Sequence, residues 1–98
     1  MRTVRLGNAE YGIRCDLNAV EAIEDRFGSV KDAFGDCSIS ATKKIAEILI
    51  NEHFYYVGES KRITAEYVGA QIANVAEYTA LMTALMEEIA DCVTPKKV

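Results

Sequence analysis

Residues Cys15 to Val30, Cys-Asp-Leu-Asn-Ala-Val-Glu-Ala-Ile-Glu-Asp-Arg-Phe-Gly-Ser-Val, constrain the fold of this chain more than any other stretch. Asn18 followed three residues later by Glu21 is a capping-box pattern. Leu17 and Ala22 occupy the two staple positions, and Gly28 tolerates the left-handed backbone that closes a helix C-terminus. These signals predict a short amphipathic helix. On its wheel Val20, Ile23 and Phe27 fall together, Ala19 widens the stripe, and Glu21 and Asp25 point away. Glu24 projects at the margin of the stripe, where a carboxylate needs a donor to offset lost hydration. Arg5, Arg14 or backbone N–H groups are the expected donors, with a partner contact as the sharper alternative.

Upstream, Thr3 to Leu6 and Ala9 to Arg14 flank Gly7-Asn8, a dipeptide suited to a two-residue hairpin turn. With Gly7 and Asn8 at its centre, Leu6 faces Ala9, Arg5 faces Glu10 and Val4 faces Tyr11. Apolar residues then share one face, and an opposite-charge pair lies on the other. An isolated hairpin is marginal in water, so the face of Val4, Leu6, Tyr11 and Ile13 is expected to rest on the Asn18 to Phe27 helix and on the last helix.

Downstream the signals are helical. Ser29 with Asp32 opens a short segment, Val30 to Phe34, that Gly35 stops, and Phe34 is expected to fill the core. Asp36 to Ser40 is a connector offering two caps, and Ala41 to Tyr56 is the next helix. Its apolar surface is unusually wide. Ile45, Ile48, Leu49 and Tyr56 define one face, while Ile50 and Phe54 lie about 140 to 180° round from Ile45 by the 3.6-residue period. Such a helix is either central or partly used for binding. Ile50, Phe54 and the adjacent Tyr55 are thus candidate partner-binding residues, unless the Ala65 to Ile72 helix covers them. Glu52 interrupts the main face, and His53, the one histidine, reads as packing or surface.

Ile63-Thr64 with Val68 starts a helix over Ala65 to Ile72, and Asn74 with Glu77 predicts a break near Ala73. Tyr78, Leu81, Met82, Leu85, Met86, Ile89, Cys92 and Val93 then form the cleanest amphipathic stripe in the chain, and Pro95 ends it. Glu87, Glu88 and Asp91 oppose the dipole of this last helix, with Lys96 and Lys97 as partial compensation. They are the second candidate partner surface. The whole reads as an α+β, mostly α-helical fold in a single domain. A hairpin covers residues 1–15, four to five helices cover 16–94, and 95–98 are a tail.

The 98 residues, half of them hydrophobic, suffice for one core without a staple. A net charge of -4 opposes a phosphate backbone, so no nucleic-acid partner is expected. No segment approaches the roughly 18 apolar residues of a spanning helix, and no signal-peptide run is present, so no membrane partner is expected either. Cys15, Cys37 and Cys92 are odd in number and widely spaced, which reads as reduced thiols in a cytoplasm. They form no Cys-x-x-Cys pair, the glycines form no phosphate-cradling cluster, and one histidine offers little for nucleophilic catalysis. The expectation is a non-enzyme without cofactor or metal.

The hairpin around a glycine, the Asn18-Ala19-Val20-Glu21-Ala22-Ile23-Glu24-Asp25-Arg26-Phe27-Gly28-Ser29 segment and the helices that follow resemble the small phage tail assembly chaperones. The likeness is to the branch found in prophages and gene transfer agents. Ile63-Thr64-Ala65-Glu66-Tyr67-Val68-Gly69 also resembles that branch, which often carries a threonine-capped helix there with a glutamate and a Val-Gly pair. The resemblance implies a binding protein that holds the long, largely helical tape measure protein soluble while tail tube subunits polymerise around it. It implies no catalytic residue. Tape measure or tail tube protein is the implied partner, and self-association is compatible with it. A minor structural component of a phage or gene transfer agent tail is the alternative, and a generic intracellular adaptor is the third.

Overall fold

The computed structural model describes residues 1–35 and 38–94, the Phe34 side chain excepted. The core role expected of Phe34, the Asp36-Cys37 part of the connector, the stop at Pro95 and the compensation by Lys96 and Lys97 lie outside the described residues. The fold is α+β and mostly helical, with an N-terminal two-stranded hairpin and five helices. In order these are β1 (Thr3–Leu6), β2 (Ala9–Gly12), α1 (Leu17–Phe27), α2 (Val30–Gly35), α3 (Ile39–Tyr56), α4 (Ala65–Gln71) and α5 (Val75–Val93).

The hairpin has the register that its turn chemistry predicts: Leu6 pairs with Ala9, Arg5 with Glu10 and Val4 with Tyr11. Gly7 has φ 63° and Asn8 has no positive φ, the pattern of a type II′ turn. Val4, Leu6 and Ile13 are buried together. Their support is half as expected: β1 rests on the last helix, α5, but β2 rests on α3 and not on α1, which packs chiefly against α2 and α3.

α1 also begins earlier than Asn18. Asp16 is its N-cap, with Oδ1 accepting from the Ala19 N–H at 3.1 Å while Arg14 Nε donates to Oδ2 at 2.9 Å. An aspartate held by a cation satisfies the orphan N–H groups and complements the dipole, which displaces the Asn18 capping box. Leu17, expected as a staple, is 84% exposed. The buried face is centred on Ala19 and Ile23, not on Val20, and this rotation leaves Glu24 exposed. Its carboxylate meets no donor among the described residues; Arg14 serves Asp16, and Arg26 serves Glu47 instead. Gly28 does close the helix, at φ 90°, donating to the Glu24 carbonyl at 2.7 Å.

The later starts follow their caps. Ser29 accepts from the Asp32 N–H, Ser38 caps α3, Thr64 caps α4 and Asn74 caps α5. The Asn74 and Glu77 box makes the predicted break, Glu77 N–H donating to Asn74 and Ala73 N–H donating to Glu77, both at 2.9 Å. α3 is the central element, in contact with α1, α4, α5 and β2. Most of its wide apolar surface is used: Ala41, Ile45, Ala46, Ile48, Leu49, Ile50 and Phe54 are buried, whereas Tyr56, expected on the main face, is exposed in the last turn, where no neighbouring element among the described residues covers it. One close approach in this packing has no signature in the sequence. A Cβ added at Gly12 would lie 2.6 Å from the His53 ring, so β2 can meet α3 there only as glycine.

Gly12→Ala is therefore expected to cost about 1–3 kcal/mol through overpacking. Thermal denaturation of Gly12→Ala, His53→Ala and the double variant checks this. Loss of the imidazole should make the added methyl far less costly, and an unchanged Tm in Gly12→Ala alone would reject the contact.

Candidate functional site

The structure separates the residues that the sequence groups as a binding patch. Ile50 is 0% and Phe54 7% exposed, and Phe54 meets the Tyr11 ring edge-on with centroids 6.1 Å apart. Both belong to the core, because α3 is enclosed from several sides, and neither is available to a partner. Tyr55 remains outside at 65% exposure, beside exposed Tyr56 and Val57. It lines a shallow depression of mixed character with Asn18, Ala22, Ile48, Glu52 and Arg62. Tyr56 is also less exposed to ligands than its place suggests, since the Arg14 guanidinium lies 3.7 Å over its ring.

The acidic trio on α5 is split as well. Glu88 is occupied within the chain: Oε1 accepts from Arg2 Nη1 at 2.9 Å and Oε2 from the Cys15 N–H at 3.1 Å. Asp91 pairs with Arg2 Nη2 at 3.0 Å, although its side chain is 69% exposed. Glu87 alone of the three is exposed with no hydrogen bond or ion pair among the described residues. Sequence periodicity identifies acids on a face, but it cannot show that an arginine near the other end of the chain returns to that face.

What the structure does leave open is apolar. Only the Leu81, Leu85 and Ile89 line of the α5 stripe is buried, with Tyr78 half-buried and its hydroxyl bonded to Thr42 at 3.0 Å. Met86 and Val93 stay more than two-fifths exposed, and Val75 is 78% exposed. Val75, Ala76, Thr79, Met82, Thr83, Met86, Ala90 and Val93 fall within about a third of the helix circumference by the 3.6-residue period. None is charged, and all but the half-buried Met82 are exposed. At its N-terminal end this face runs into an apolar groove of about 280 Å³ between α3, α4 and α5. Ile39, Val68, Ile72, Val75, Tyr78 and Leu81 are among its walls, and Ile39 is 63% exposed. The 3-4 spacing of Val75, Thr79, Met82 and Met86 was a usable signal for this second face. It was masked by the stronger stripe beside it.

The face is an exposed, uncharged strip that ends in an apolar groove. Among the described residues no cluster of three or more His, Cys, Asp or Glu side chains is placed to hold a metal ion, and no helix is long and apolar enough to cross a membrane. Comparison of the chain with models of known families, with curated proteins and with solved structures finds no match.

One electrostatic device borders the Tyr55 depression. Glu52 is held above the ordinary glutamate range by burial and by its hydrogen bond with Asp16. For Asp16 burial acts upward too, but the bonds from Glu52, the Ala19 N–H and Arg14 outweigh it and hold the carboxyl below its usual range. Of the two carboxyls, Glu52 therefore keeps its proton to the higher pH. Glu52 binds its proton more tightly folded than unfolded, so its contribution to stability is present at low pH and lost as pH rises through the raised value. Asp16 works the other way: its contribution is present above the ordinary aspartate value and lost as pH falls through the lowered one. Glu52→Gln keeps a donor for Asp16 without the charge. Its Tm should match the wild type near pH 4 and exceed it increasingly towards pH 7, and a difference independent of pH would reject the upward shift of Glu52.

Proposed function

We propose that this chain is a tail assembly chaperone, a non-enzymatic cytoplasmic protein that keeps the helical tape measure protein soluble while tail tube subunits polymerise around it. The resemblance carried by Asn18 to Ser29 and Ile63 to Gly69 suggests the class. The observation that carries the reading is the uncharged outer face of α5 opening into the groove at Ile39 and Val75. Exposed apolar surface of this kind marks an interaction site on a small domain. An amphipathic helix laid along α5 would bury Val75, Met86 and Val93, with one large side chain seated between α3, α4 and α5. The exposed carboxylate of Glu87 at the edge of this face favours a basic residue on the partner.

The test is co-expression with helical segments of a tape measure protein. The wild-type chain should co-purify with one such segment. Val75→Glu with Met86→Glu changes two exposed positions, which should leave stability within about 0.5 kcal/mol, and should weaken the complex at least tenfold. If the double variant binds as well as the wild type, the α5 face is not the recognition surface. Recovery of the protein from mature particles in fixed stoichiometry would favour a structural tail component over a chaperone.

A further inference from the structure

Lys43 is the one charged residue among the described walls of the groove between α3, α4 and α5. Gly69 of α4 sets its course. A Cβ added at Gly69 would stand 2.9 Å from Lys43 Cδ and 3.4 Å from Nζ, so the lysine stem lies directly on the glycine. The half-buried side chain thus runs along α4 and keeps its ammonium beside the groove. On a helix surface the ordinary partner of this lysine is Glu47, one turn on. Glu47 is engaged elsewhere: Oε1 accepts from the Ala65 N–H at 2.8 Å and Oε2 from Arg26 Nη2 at 2.7 Å. Among the described residues Lys43 makes no hydrogen bond or ion pair. The groove hydroxyls, by contrast, are satisfied within the fold, since Thr42 donates to the Ser38 carbonyl at 3.1 Å and lies 3.0 Å from the Tyr78 hydroxyl.

We propose, relying on the α5 docking reading above for the partner's identity, that the groove takes a bulky apolar side chain carried next to a carboxylate, and that Lys43 selects the carboxylate. Val68, Ile72, Val75 and Leu81 supply the apolar walls, and their low polarity strengthens a charge pair formed at the rim. A neutral or basic group at the same place leaves the ammonium unpaired or repels it. On a helical partner the carboxylate sits within one turn of the apolar anchor. Val75 at the groove and Glu87 are roughly 18 Å apart along α5 at 1.5 Å per residue. The matching segment is therefore acidic where it enters the groove, uncharged along α5, and basic where it passes Glu87.

Titration of the full chain with N-acetyl-leucine, followed by methyl and amide NMR, tests the pocket without any tape measure segment. Shifts should centre on Val68, Ile72, Val75 and Leu81. The acid should bind about three- to fivefold more tightly than N-acetyl-leucinamide at low ionic strength, and added salt should weaken only the acid. Lys43→Met keeps the stem that packs on Gly69 without its charge and should bind the two probes equally, whereas Lys43→Arg should keep the preference. Equal affinities in the wild type, a preference that persists in Lys43→Met, no shift at the groove with either probe, or shifts centred on Arg2 and Arg14 would overturn the assignment. Selection of the acid by Lys43 upholds the pocket even where no tape measure segment co-purifies, a result that removes only the docking reading. A segment that binds Lys43→Met as tightly as the wild type removes the role of Lys43 and leaves the docking reading intact.

Discussion

α3 is buried on opposite sides at once, and the rest of the structure is arranged by that constraint. Ile45, Ile48 and Leu49 need cover in one direction and Ile50 and Phe54 in another, so no single neighbour can satisfy the helix. α1, α4, α5 and β2 each take a part of it. The polar residues between these faces do the positioning. Asn51 donates to the Ile63 carbonyl at 2.9 Å and accepts from the Ile63 N–H at 2.8 Å, answering both backbone groups of a residue that no ladder serves. One turn back, Glu47 accepts from the first N–H of α4 at 2.8 Å and from Arg26 of α1 at 2.7 Å. Thr42, the buried polar residue of α3, is bonded to the Ser38 carbonyl and the Tyr78 hydroxyl. The connector, α1, α4 and α5 are therefore each tied to α3 by a hydrogen bond as well as by apolar contact.

That arrangement also decides what remains for a partner. With α3 enclosed, α5 can bury only one line of its apolar residues, and the line beside it stays outside. The excess apolar surface of the chain is thus transferred from α3, where the sequence suggests it, to α5 and to the groove at its N-terminal end. The apolar surface left open therefore lies on other residues than the periodicity of α3 suggests.

Local features were legible because their causes are local. The Gly7-Asn8 turn sets the hairpin register through backbone twist, and Ser29, Thr64 and the Asn74 and Glu77 box set helix starts through side chains that reach their own backbone. Errors arose wherever two local solutions were close and a distant group chose between them. Arg14 favours Asp16 over Asn18 as the cap of α1, and the earlier start accompanies a burial face centred on Ala19 and Ile23 that carries Glu24 into solvent. The candidate site was less legible than the fold: of its expected residues Tyr55 and Glu87 are exposed, Asp91 and Glu88 serve Arg2, and Ile50 and Phe54 are core.

The sequence by itself determined the α+β class, the order of elements, the hairpin register and the amphipathic character of α1 and α5, since these depend on neighbours within about one turn or one strand pair. Only the tertiary structure decided which side of each helix is covered. It also decided that Gly12 admits the His53 ring, that Asp16 and not Asn18 caps α1, and that Glu88 near the end of the chain receives Arg2 and the Cys15 N–H. The physical reason is that periodicity records how much apolar surface an element carries and in what phase, but not the identity of the neighbour. Burial is a property of pairs of elements, and the pairs here join residues from opposite ends of the chain.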